Sequence, residues 1–252
     1  MKNEIGIAII DIYGQVDLDA CYNSNLDYYR DNTIIVSDTR NTLPDCEVKQ
    51  YGKGVPMATL RNWAINHFRI KGLKHFFLLN SNQIVKDPEI FEKIIKTAEV
   101  FGTWFILGPT TESVTSIEDD EHNITLNLAE NITSDFIYIY NGVVSNVGFF
   151  DERYFNTKHM DILDYTIRMR EKKVYPPSGY NPVFQEGLEM TNGAITKPNY
   201  REMENPDHSV NMSYAYFLTR HNYMPGQNDP KPISKDDLMV ELGELQKNYA
   251  KK

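Results

Sequence analysis

Up to Gly108 the chain alternates short, wholly apolar runs with segments whose apolar residues recur at helical spacing, and this alternation constrains the fold most. The apolar runs are Glu4–Asp11 (EIGIAIID), Asn32–Ser37 (NTIIVS), His75–Leu79 (HFFLL) and Trp104–Gly108 (WFILG). Each is too short for a buried helix and rich in β-branched or aromatic residues, so each reads as a strand. None keeps a polar face, which is the habit of parallel strands covered on both sides. Between them, Leu60, Trp63, Ala64, His67 and Phe68 fall on one helical face that ends at Lys71-Gly72. Ile90, Phe91, Ile94, Ile95 and Ala98 form the apolar face of a second helix over Pro88–Val100. Strand and helix in alternation predict an α/β fold, a mostly parallel sheet flanked by helices.

The remainder reads as shorter pieces. Ile124–Leu128 and Phe136–Tyr140 are expected strands, and Glu118–Glu121 a solvated loop before them. A helix is expected from about His159 to Lys172, and a Pro, Gly and Tyr-rich loop with extended pieces over Val174–Phe184. Pro206–Asn222 reads as a helix with Val210, Tyr214, Phe217 and Leu218 inward. Gly226–Pro232 is rich in breakers, and Ser234–Asp237 fits a capping box before a last helix bearing Leu238, Leu242 and Leu245. The expected division is a main domain over 1–225 and a linker with a C-terminal helix over 226–252.

Composition narrows the classes. With 252 residues, 41% hydrophobic and 24% charged, the chain is a folded globular protein, not a disordered one. No apolar run approaches the ~20 residues of a membrane helix. The only cysteines, Cys21 and Cys46, lack metal-ligand spacing, so a disulfide framework and a thiolate zinc site are not expected. A reducing compartment follows, and with no signal-like N-terminus a cytoplasmic or viral enzyme is the expectation. The formal charge is −9, from 35 acidic against 26 basic residues, and Thr97–Glu152 holds no Lys or Arg. That balance argues against a protein that coats nucleic acid.

In an open α/β sheet, ligands bind outside the carboxyl ends of the strands. Those ends carry Asp11-Ile12-Tyr13, Asp38-Thr39, Asn80-Ser81-Asn82 and Gly108-Pro109. No Gly-x-Gly-x-x-Gly follows the first strand and no Walker-type loop occurs, so dinucleotide and P-loop readings lack their phosphate-cradling glycines. A nucleotidyltransferase would need a Gly-rich loop where Asp11–Leu18 has Gly14 alone.

Several motifs, in order, resemble a known family. The strand IIVSD ends in Asp38; Lys-Gly-Val-Pro-Met-Ala-Thr-Leu-Arg61-Asn62 opens a helix; the strand HFFLL runs into Asn80-Ser81-Asn82. Later come Val147–Phe155 (VGFFDERYF) and Asp161–Arg168 (DILDYTIR). Over roughly residues 4 to 172 the chain resembles GT-A glycosyltransferases of the large family-2 type. The resemblance implies a GT-A-like nucleotide-diphospho-sugar transferase fold and transfer of a sugar from a nucleotide-sugar donor to an acceptor hydroxyl. It implies Asp38 at the nucleotide base, with Arg61, Asn80, Asn82 and Asp11 around the donor. It further implies Asp161, at the start of its helix, as the base. His159 is a second candidate base. A glycan is the expected acceptor and a modified DNA base the lesser one, weakened by the net charge.

One departure matters. Asn80-Ser81-Asn82 stands where the family carries Asp-x-Asp, whose carboxylates share a Mn or Mg ion that neutralises the donor diphosphate. Neutral amides keep oxygen ligands but remove two negative charges. Three readings stay open. Cationic side chains such as Arg61, Lys53, Lys158 and Arg220 stabilise the leaving diphosphate without a metal. A metal is held weakly through other groups, such as His208. Or catalysis is lost and a binding or structural protein remains. Plainer roles also exist: Asp38 as a turn former, Asn80 and Asn82 as an Asx turn, Arg61 as a structural partner, and Asp161 beside a helix N-terminus.

Overall fold

The computed structural model describes residues 2–11, 18–37, 46–52, 54–87, 89–108, 114–130, 135–154, 160–176, 179–184, 188–190, 206–223, 231 and 233–249. In chain order the elements are β1 (Ile5–Asp11), α1 (Leu18–Tyr29), β2 (Thr33–Ser37), β3 (Glu47–Gln50), α2 (Met57–Ile70), β4 (His75–Asn80), β5 (Gln83–Val85) and α3 (Ile90–Phe101). Then come β6 (Phe105–Gly108), β7 (Thr115–Asp119), β8 (Ile124–Ala129), β9 (Phe136–Tyr140), α4 (Asn141–Val147) and α5 (Met160–Glu171). The last are β10 (Asn181–Val183), β11 (Leu188–Met190), α6 (Pro206–His221) and α7 (Lys235–Tyr249).

Among the described residues nine strands form one sheet in the order β3-β2-β1-β4-β9-β6-β10-β8-β7, and β11 pairs with β5 in a small ribbon. The first four strands are mutually parallel. β9 runs antiparallel between β4 and β6, and beyond it the sheet is mixed. The successive strands β1, β2 and β3 proceed outward to one edge, whereas β4 falls on the other side of β1. The order therefore reverses between β1 and β4, which opens a crevice at their carboxyl ends.

Every residue of β1 and β2 is buried, as both faces are covered. One face packs Ala8, Ile10, Ile34, Val36, Phe76 and Leu78 against Leu60, Ala64 and Phe68 of α2 and Ile162, Tyr165 and Met169 of α5. The other packs Ile7, Phe77, Leu79 and Ile106 against Phe91, Ile94 and Ile95 of α3. The contact with α2 is close enough that a Cβ on Gly6 would lie 2.6 Å from the Phe68 ring. α3 ends at Gly102 in the left-handed region (φ 67°), where Gln246 of α7 crosses with its backbone 2.7 Å from the place of a Cβ. Leu238, Leu242 and Leu245 of α7 pack on Phe101, Ile117, Leu126 and Leu128. Ser234 caps α7 through the Asp237 amide, as the motif predicts.

Two expectations are corrected. Glu118 and Asp119 close strand β7 rather than lying in a loop, paired with Thr125 and Ile124. In α6, Phe217 is buried, but Tyr214 and Leu218 are 40% and 44% exposed, so the inward face is narrower than its apolar content suggests. The side chain of Val210 lies outside the described residues. β10 is one of the extended pieces expected in Val174–Phe184, whereas sequence periodicity missed α1, β3, β5, α4 and β11, which are short, polar or, for β3, exposed edge elements. Among the described residues no helix is long and apolar enough to cross a membrane.

Candidate functional site

Strand register builds the crevice. Asp11 lies opposite Ser37, and Ile10 lies opposite Asn80. The chain leaving β4 returns a hydrogen bond from the Ser81 amide to the Ile10 carbonyl at 3.1 Å, which sets Ser81 beside Asp11. The fully buried Asp11 carboxylate then accepts from the Ser37 hydroxyl at 2.9 Å and the Ser81 hydroxyl at 3.2 Å. A buried carboxylate must be supplied with donors to be tolerated. Here the donors come from the ends of two neighbouring strands, so one side chain ties together the carboxyl ends of β1, β2 and β4.

Asn80 and Asn82 follow directly. The Asn80 side-chain amide donates to Asp135 Oδ1 at 2.7 Å, and its backbone N–H donates to the Asp135 carbonyl at 2.9 Å. Asn82 is buried and its Oδ1 accepts from the Gln83 amide at 3.2 Å. A hard divalent cation draws much of its affinity from anionic oxygens. This pair supplies none, and the Asp135 carboxylate bonded to Asn80 accepts its hydrogen bond. Among the described residues no three His, Cys, Asp or Glu side chains gather to hold a metal. The described donor set therefore fits a divalent cation poorly.

Arg61 and Asp161 are bound to each other. Arg61 projects from α2 into the core, where its guanidinium donates to Asp161 Oδ2 at the start of α5. Their side chains are only 2% and 6% exposed. The next residue, Asn62, clasps the chain after α4. Its amide donates to the Phe150 carbonyl at 2.9 Å and to Glu152 Oε1 at 2.8 Å, and its Oδ1 accepts from the Phe150 N–H at 2.9 Å. The Arg-Asn pair thus fixes α5 and the 148–154 segment onto α2.

A charge-paired junction continues outward. Asp164, fully buried, receives Arg168 at 2.8 Å, Arg220 at 2.9 Å, His221 at 3.0 Å and the Tyr154 hydroxyl at 3.3 Å. Burial pushes the Tyr154 phenol far above its usual range, and the Asp164 charge adds to this. Asp151 receives Arg153, Arg220 and the Tyr216 hydroxyl. Burial alone would raise the Asp151 carboxyl, but the hydrogen bonds from Arg153 and Tyr216 outweigh it and hold the group well below the ordinary carboxylate range. Asp161 and Asp164, three apart on α5, thus serve two different partner sets.

Of the residues singled out in the sequence, the structure brings Asp11, Asn80 and Asn82 to one crevice. It places Arg61 with Asp161 and Arg220 with Asp151 and Asp164. Asp38, Lys53, Lys158 and His159 lie outside the described residues, and so does the side chain of His208, whose backbone belongs to α6. Sequence reasoning placed Ser81 within the Asn80-Ser81-Asn82 motif but missed Ser37 and Asp135. Ser37 was findable, since it ends a strand one residue before Asp38. Asp135 carries no local signal.

No protein-family model and no curated protein matches the sequence. Solved structures do. The crystal structure of GalNAc-T7 with UDP, GalNAc and Mn2+ superposes with a TM-score of 0.52 at 8% identity, over 97% of this chain and 55% of that one. This chain thus spans about half of that protein. S. aureus TarS 1-349 in complex with UDP-GlcNAc gives 0.46 at 7% identity, over 96% and 80%. A cytidylyltransferase from Leptospira borgpetersenii gives 0.43 at 8% identity, over 89% and 98%. At such identities a likeness speaks of fold alone. With the β3-β2-β1-β4-β9-β6 order, the GalNAc-T7 superposition makes the fold GT-A-like.

Proposed function

We propose that this chain transfers a sugar from a nucleotide-sugar donor to a hydroxyl of an acceptor, with a glycan the leading acceptor class. The observation that carries the reading is the crevice at the strand reversal, where Asp11 knots β1, β2 and β4 and presents Asn80 and Asn82. It is supported by the GT-A-like fold, which GalNAc-T7 shares in a structure solved with UDP, GalNAc and Mn2+. Asp38, next to Ser37, would meet the nucleotide base, and the Asn80–Asn82 amides would line the diphosphate. Asp161 would take the acceptor hydroxyl proton as the new glycosidic bond forms and the bond from anomeric carbon to diphosphate oxygen breaks. His159 is the reserve base. The diphosphate leaves with its electron pair, and its charge would fall to guanidinium and ammonium groups, with Arg61, Arg220, Lys53 and Lys158 the candidates.

A non-catalytic nucleotide-sugar binding protein is the second reading. The buried Arg61–Asp161 pair favours it, because each is already the other's partner. Calorimetric titration with UDP-, GDP-, CDP- and dTDP-sugars, with and without manganese, followed by a turnover assay, separates the readings. Binding in the micromolar range without metal, weakened at least ten-fold by Asp38→Ala, and release of nucleoside diphosphate support the transferase. Binding without release supports the second reading. No binding to any nucleotide sugar overturns both.

A further inference from the structure

The segment after α4 and the outer side of α2 border an open groove of about 650 Å³, with Arg168 of α5 and Arg220 of α6 also in its lining, and none of Asp11, Asn80 and Asn82 of the crevice lines it. Tyr51, Trp63 and Phe149 line it together with Asn66 and Glu152. The Tyr51 and Trp63 rings meet edge to face with centroids 6.3 Å apart. Glu152 is exposed, yet both its oxygens are held. Oε2 accepts from the Thr59 hydroxyl at 3.0 Å and Oε1 from the Asn62 amide at 2.8 Å. Burial raises the Tyr51 phenol, and the nearby Glu152 charge adds to this, which keeps that hydroxyl a donor. An exposed carboxylate on a long side chain ordinarily samples many rotamers, so fixing it costs side-chain entropy. Here α2 has already fixed it, as the rim of a binding site needs.

The chemistry on offer is a set of aromatic rings beside a fixed carboxylate, an exposed amide and the acid-paired guanidinium groups of Arg153, Arg168 and Arg220. A sugar ring has apolar C–H faces and a rim of hydroxyls that donate and accept. It lies on aromatic rings by its faces and bonds carboxylate and amide by its rim. A nucleobase would also use the rings, and Arg153, Arg168 and Arg220 line the groove as well, but their guanidinium groups are already engaged by Asp151 and Asp164, which leaves the Glu152 carboxylate facing any phosphate. We infer that this groove binds a carbohydrate chain of several residues. The inference rests on the transferase reading only in making that chain the acceptor. The groove floor supports the link: the Phe150 ring lines it and the Arg61 guanidinium, which holds Asp161, lies 5.7 Å from that ring's centre.

Trp63 reports on this groove, since the chain has only two tryptophans and Trp104 packs in the core. In a Trp104→Phe background, fluorescence comes from Trp63 alone. Titration of the full chain with maltohexaose, cellohexaose, chitohexaose and laminarihexaose is expected to shift that emission with at least one of them. Trp63→Ala and Glu152→Gln, read by calorimetry, should each weaken that binding about ten-fold or more and leave nucleotide-sugar affinity unchanged. Far-UV circular dichroism checks that both variants fold. No response to any hexasaccharide at 10 mM, a response to nucleotides alone, or full affinity in both variants overturns the groove assignment. Hexasaccharide binding at Trp63 without nucleotide-sugar binding keeps the groove and sinks the transferase reading. The reverse sinks the groove alone.

Discussion

The strand-end crevice and the α2–α5–α6 side are held together by different physics. In the crevice one buried carboxylate is satisfied by neutral hydroxyls of residues at neighbouring strand ends, and register alone brings them together. On the other side, buried and half-buried charges are satisfied by opposite charges from distant stretches of chain: Arg61 by Asp161, Asp164 by Arg168, Arg220 and His221. The first arrangement is cheap to keep, because every member of it is neutral but Asp11. The second is rigid but vulnerable, because removing one member strands a charge in low dielectric.

That contrast predicts its own largest effect. Arg61→Met should cost about 3–5 kcal/mol in urea unfolding, since Asp161 is left buried and unpaired. The double variant Arg61→Met with Asp161→Leu should recover most of it. A single-variant cost below about 1 kcal/mol would show that the pair is not desolvated in solution.

The acid response comes next. His75, at the end of β4 away from the crevice, is buried against Tyr138 at 3.0 Å, and burial lowers its pKa to about 4. Between pH 6.5 and 4 the unfolded chain binds a proton that the folded chain refuses, so stability falls as pH falls through that window, by about 3 kcal/mol. Asp151 is depressed instead, so its contribution is present above the ordinary carboxylate range and lost only in stronger acid. His75→Phe should flatten the upper window and leave the lower one, read by unfolding midpoints from pH 8 to 2. An unchanged profile would place the titration elsewhere.

In the crevice, Asp11→Asn keeps shape but turns one acceptor into a donor facing a hydroxyl. A loss of about 2 kcal/mol is expected, with a larger proportional loss of nucleotide-sugar affinity. Retained affinity would separate Asp11 from the site. The smallest effect is expected at half-exposed Arg220: Arg220→Gln should cost about 1 kcal/mol or less, because solvent screens it and Arg168 and His221 still serve Asp164. The cost should shrink in 0.5 M salt.

The same contrast explains what the sequence discloses. The strands β1, β2, β4 and β6 were legible, because each is built on a continuous apolar run, and α2 and α3 carry clear stripes. So was the place of Asp11 and Asn80, since strand ends follow from strands. The partners of Arg61 and Asn62 were not, as they lie 100 and 88 residues away and no periodicity encodes such a meeting. Nor was β3, whose EVKQ is polar because it is an exposed edge. Asp135 at Asn80 was equally hidden, since β9 enters beside β4 only through an antiparallel crossing.

Photo-crosslinking with an azido-uridine diphosphosugar, or the analogue of whichever base binds, followed by peptide mapping, tests the central claim most directly. Label on peptides spanning Ile5–Asp11, Thr33–Asp38 and Leu79–Gln83, competed away by unlabelled donor, is the expected result. Label confined to the Trp63 groove, or spread over the surface and insensitive to competition, would contradict a donor site at the β1–β4 reversal.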